Sequence, residues 1–161
     1  MRRRGGERLV SGDELPAHAA PFALELPEGT RDASTWCFVL PGERSFSPSV
    51  VIKRDDLPED QSPLAYLVAQ AAQLAEQLPG FELLAEPSQP EEGPPSCRVR
   101  WGGDPQSYVQ TLRVQPLGER EVLLVTATAQ PDATEDALAQ LEAVASSVVA
   151  RPPEEPAEEG A

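Results

Sequence analysis

The segment from Ser62 to Leu78 constrains the fold more than any other part of the chain. Leu64, Leu67, Ala71, Leu74 and Leu78 recur at three- and four-residue intervals, the period that lines one side of an α-helix and commits that side to burial against another layer. Ser62 supplies an N-cap oxygen, and Pro63 takes the first helical position, where its missing N–H is no loss. Pro79 and Gly80 stop the helix, the first by restricting the residue before it and the second by tolerating left-handed backbone. Tyr66, Gln70, Gln73 and Gln77 follow the same period on another side. They form a row of neutral amides beside an aromatic ring, with no charge among them.

A helix with one apolar stripe needs a sheet to cover, and the flanking runs supply its strands. Phe22–Leu26 alternates apolar with small or polar side chains and is turned by Pro27-Glu28-Gly29, as a half-buried strand is. Trp36–Leu40 is apolar at every position, which predicts a strand covered on both faces. Its partner is Ser49–Arg54, across a loop from Pro41 to Pro48. The acidic run Asp55–Asp60 leads into the helix, where negative groups interact favourably with the helix dipole. It lacks the glycine and ligand spacing of a calcium loop, so no metal site is assigned.

After the helix, Phe81–Glu86 reads as a short strand and Pro87–Pro95 as a loop rich in proline and acid. Ser96–Trp101 alternates cleanly, with Cys97, Val99 and Trp101 on one face and Ser96, Arg98 and Arg100 on the other. Gly102–Pro105 turns into Ser107–Gln115, where Tyr108, Leu112 and Val114 share a face with Gln110. An amide in phase with three apolar side chains must find partners or lose about a kcal/mol or more. Glu121–Thr128, apolar on both faces at first, belongs at the centre of the sheet. Asp132 with Glu135 resembles a capping box, and Leu138, Leu141, Ala145 and Val148 are the core stripe of a second helix ending near Val149.

Strands, helix, strands, helix, with hairpin-length connections late in the chain, is an α+β pattern with a mainly antiparallel sheet and two principal helices. The 161 residues suit one domain, spanning 21–151 between a flexible lead-in, 1–20, and a disordered acidic tail, 152–161. A formal charge of −14 disfavours nucleic acid and anionic lipid surfaces. No apolar run approaches the roughly 20 residues of a membrane span or forms a signal-peptide core, so the expected location is the cytoplasm, without membrane insertion. There, Cys37 and Cys97, outside any metal-type spacing, are expected to be buried thiols and not a disulfide.

Catalysis finds no foothold. No glycine-rich phosphate loop opens a helix. The single histidine, His18, lies in the lead-in, where no nucleophilic triad assembles around it. No catalytic residue and no cofactor is assigned. What remains is surface: the amide row, Gln110, and the aromatic residues Trp36, Phe38, Trp101 and Tyr108. Each has a structural alternative: core packing for the aromatics, a solvated helix face for the amides, a satisfied buried amide for Gln110.

These motifs in their order resemble the DcrB-like family. The likeness is carried by Trp36–Gly42, Val51–Pro58, Leu64–Leu67 with Gln70, Leu74 and Leu78–Phe81, then Val99–Trp101, Gln110 and Leu124–Thr128. Within that family the chain is most similar to the effector-associated (Eag-type) chaperones of bacterial type VI secretion. The resemblance implies a PsbP-like α/β/α sandwich, homodimeric and non-enzymatic, that cradles the apolar N-terminal transmembrane helices of a secreted effector. Trp36, Phe38, Tyr66, Gln70, Gln73, Trp101, Tyr108 and Gln110 would then be its client-binding residues. The competing reading is a protein-binding module of the same fold, which could instead be envelope-associated.

Overall fold

The computed structural model describes residues 27–28, 34–41 and 47–149. The chain divides into two compact units, Met1–Arg31 and Asp32–Ala161; only Pro27 and Glu28 of the first are described, and the fold is that of the second. The expected strand at 22–26, the lead-in and the tail lie outside the described residues.

Among the described residues, six strands and two helices follow in the order β1 (Thr35–Val39), β2 (Ser49–Asp56), α1 (Pro63–Gln77), β3 (Glu82–Ser88), β4 (Ser96–Gly103), β5 (Gln106–Pro116), β6 (Glu121–Ala129) and α2 (Glu135–Ser146). The strands form one sheet in the order β1-β2-β6-β5-β4-β3, with every neighbouring pair antiparallel. This is the α+β architecture expected. Its one long crossover is the return from β2 through α1 to β3 at the far side of the sheet, after which β4, β5 and β6 come back strand by strand.

Strand parity sends the two faces to different helices. Val122 and Leu124 of β6, Leu112 and Val114 of β5, and Cys97 and Val99 of β4 pack with Tyr66, Leu67 and Ala71 of α1. Val125, Ala127 and Ala129 of β6 point the other way and pack with Val50, Leu141 and Ala145. Leu67 is fully buried, which stabilises the fold by about 2–3 kcal/mol. Ser62 accepts the Ala65 amide at 3.1 Å as the N-cap of α1.

The end of α1 is fastened to the sheet by two glycines. Gly80 has φ 62°, and a Cβ there would lie 2.1 Å from the carbonyl oxygen of Gly102. Only an unsubstituted residue allows the approach in which Gly102 N–H donates to Pro79 O at 2.7 Å.

Several expectations change. β1 is not covered on both faces: Thr35, Cys37 and Val39 are exposed, because α1 packs on β3, β4 and β5 and does not reach β1. Cys37 is therefore an exposed thiol; Cys97 is buried, and neither forms a disulfide. β2 runs past its expected end at Arg54 to take in Asp55 and Asp56, the first two residues of the acidic run. β3 continues through Pro87, which an outer strand tolerates because one of its edges needs no donor. Thr134, not Asp132, caps α2, accepting Ala137 N–H at 3.2 Å. The helix ends at Ser146, and Val148 packs from beyond it.

Candidate binding face

Two anchor points set the path of α1. Tyr66, in its second turn, donates its hydroxyl to Asp55 Oδ2 on β2 at 2.7 Å. The other end meets Gly102 on β4. The helix thus crosses its face diagonally, from the end of the sheet at Asp55 and Val122 to the opposite end at Gly102 and Tyr108. Burial, then the Asp55 hydrogen bond and charge, hold the Tyr66 phenol well above its ordinary pKa. Tyr66 is only 4% exposed, so it belongs to the core and not to an exposed row.

Because Tyr66 faces β2, so does the flank of α1 that carries Gln70, Gln73 and Gln77 at the same helical angle. Gln70 is half-buried, and Gln73 and Gln77 are exposed. Beside this flank lies the part of the sheet that α1 leaves uncovered. The pairing registers place Val39, Ser49, Thr128 and Gln110 in one row across β1, β2, β6 and β5. Cys37, Val51 and Thr126 form the next row. Exposure falls along the strip from Val39, 68% exposed, to Thr128, buried at 8%; Cys37 is exposed, and Ser49, Val51, Thr126 and Gln110 are half-buried. The amide of Gln110 is satisfied in part, donating from Nε2 to Thr128 Oγ1 at 3.1 Å.

These two rows offer methyl groups, hydroxyls, a thiol and an amide, without a carboxylate or a cation, in a chain with 27 acidic residues; the next row of the same face holds Thr35, Lys53 and Leu124, so that one exposed cation, 3.8 Å from Asp55, borders the strip.

The sequence-derived residues divide over the molecule. Gln70, Gln73 and Gln110 border the strip. Trp101 and Tyr108 are cross-strand neighbours on the same face, half-buried, with ring centroids 4.6 Å apart at a 35° tilt. Trp36 and Phe38 are opposite Ile52 and Val50, on the α2 face, and do not join the others. Cys37, Val39, Val51, Thr126 and Thr128 were missed. An all-apolar strand has no visible parity, and the rows that unite these residues depend on pairings between strands distant in sequence.

The DcrB family model matches residues 23–147. Among solved structures, PA94 from Pseudomonas aeruginosa, a protein of unknown function, is similar with a TM-score of 0.60 and 26% identity, over 80% of this chain and 91% of that one. LpqN of Mycobacterium tuberculosis, involved in cell envelope biogenesis, matches over 73% of this chain and 84% of its own, with 18% identity and a TM-score of 0.46. No curated protein matches. No helix among the described residues is long and apolar enough to cross a membrane.

Proposed function

We propose that this chain, which belongs to the DcrB family, is a non-enzymatic cytoplasmic chaperone or adaptor that covers the apolar N-terminal transmembrane helices of a type VI secretion effector before loading, acting as a homodimer. The observation that carries the reading is the uncharged strip beside the amide row of α1. A membrane helix held in water needs its apolar surface covered without placing charges against it, because an unpaired charge buried in such a contact costs several kcal/mol. Here the acids of a strongly acidic chain are kept off one sheet quadrant, and amides border it. Glutamines on that border would orient small polar groups or backbone carbonyls of the client while the strip takes its side chains. Covering about 800 Å² at roughly 25 cal/mol per Å² yields on the order of 20 kcal/mol gross, of which association and ordering consume about 4–15.

Coexpression tests it. The N-terminal apolar segment of an effector encoded beside this chain should stay soluble and copurify with it. Gln70→Glu and Gln73→Glu, substitutions on the helix surface that leave the core intact, should abolish copurification by setting a carboxylate at the border. Capture should change little between low and high salt, whereas a module that engages folded partners through its acidic surface would lose affinity steeply. Retention of the client by both Glu variants, or release at moderate salt, would refute the reading.

A further inference from the structure

The other face of the sheet is also only half covered. α2 packs on β6 and β2, which leaves β4 and β5 beside it as the floor of a groove of about 360 Å³. The pairing registers set Arg98, Thr111 and Ala127 in one row across β4, β5 and β6, with Val109 and Ala129 in the next. Alanines at two covered positions of a central strand, where larger β-branched side chains are usual, leave unfilled space beneath the edge of α2. Leu138 and Leu141 wall that space.

Charge on the rim is asymmetric. Glu142, on the α2 side, is engaged by Arg113 at 2.8 Å. Arg100 lies 3.9 Å from Glu82. Across the groove Arg98 is exposed, and among the described residues it is the one Lys or Arg outside any ion pair. A trough whose apolar floor is broken by Thr111, with Glu142 on one lip neutralised by Arg113 and the Arg98 guanidinium uncompensated on the other, has the form of a site for a chain with an anionic head. The volume, near the lower end for small-molecule sites, admits one short apolar chain and excludes a helix. A guanidinium matches a carboxylate through two parallel hydrogen bonds.

We propose that this groove binds a medium-chain monocarboxylate, its alkyl chain over Val109, Ala127 and Ala129 and its carboxylate on Arg98. The site is on the opposite face from the uncharged strip and does not depend on the chaperone reading.

Titration calorimetry of the full chain with sub-micellar decanoate tests it, with decanol, decylammonium and acetate as controls. The overall charge of −14 attracts cations at long range, so a preference for the anion has to arise locally. Decanoate should bind one to one, at least tenfold more tightly than decanol or decylammonium, and acetate should not bind measurably. Arg98→Gln should weaken decanoate about tenfold or more. Ala139→Glu, at an exposed position on the lip, should do the same by repulsion. Both substitutions are at the surface, and unchanged thermal unfolding would show that the fold survives them. Absence of decanoate binding, equal binding of all three ten-carbon chains, or undiminished binding to Arg98→Gln would overturn the assignment. So would displacement of decanoate by a glutamate-rich peptide with no alkyl chain, which would give the groove to a protein segment.

Discussion

Replacing Gly80 with alanine should damage the join between α1 and the sheet, and the structure allows the cost to be divided. Left-handed backbone costs an alanine about 1–2 kcal/mol relative to glycine. At φ 62° Gly80 incurs that in full, and the new Cβ would also sit 2.1 Å from the Gly102 carbonyl oxygen. Ordinary contact begins at 3.4 Å, so the two segments must separate by more than an ångström. The 2.7 Å hydrogen bond from Gly102 N–H to Pro79 O does not survive such a shift, and its loss adds about 1 kcal/mol or more. The expected total is about 2–4 kcal/mol. Gly118 is the internal control: its φ is 77°, and a methyl group there would meet no atom within 4 Å, so Gly118→Ala should cost only the backbone part. Urea denaturation of the two variants measures the difference, expected at about 1–2 kcal/mol, and in Gly80→Ala the Gly102 amide should lose its hydrogen-exchange protection. Equal destabilisation of the two variants, or a protected Gly102 amide in Gly80→Ala, would refute the claim that this approach fastens the helix.

Three further outcomes follow from side chains on the α1 face. Cys97 has its thiol pushed up to about 11 by burial, whereas Cys37 is exposed; a thiol reagent should label Cys37 in the native protein and Cys97 only on unfolding. Because the folded state holds the Cys97 proton above the pH at which the unfolded chain releases it, stability should be unaffected below about pH 8.5 and fall between there and pH 11, by on the order of 3 kcal/mol; Cys97→Ala should flatten that part of the profile measured by urea titration at stepped pH. Gln110→Leu removes the donor to Thr128 Oγ1 and should cost about 1 kcal/mol of stability, while client capture falls more than folding does; equal loss of both would make Gln110 a core residue and nothing more.

Local chemistry was enough to locate most elements. Ser62, Pro63 and the leucine stripe define α1 because capping and a 3.6-residue period act within one segment, and the alternation from Ser96 to Trp101 likewise marks β4 with its wet side. At the start of α2 the capping-box pattern pointed to Asp132, whereas the helix is capped by Thr134. Faces were a different matter. Trp36 and Phe38 sit away from Trp101 and Tyr108 because a strand that is apolar at every position carries no internal mark of which parity faces which helix. Tyr66 lies at the helical angle of the glutamines, yet it is buried because Asp55, on a strand formed earlier in the chain, reaches its hydroxyl. The strip of Val39, Ser49, Thr128 and Gln110 exists only once β1, β2, β6 and β5 are in register, and those registers are set by the cooperative burial of both cores, a property of the assembled sheet that no single stretch of residues contains.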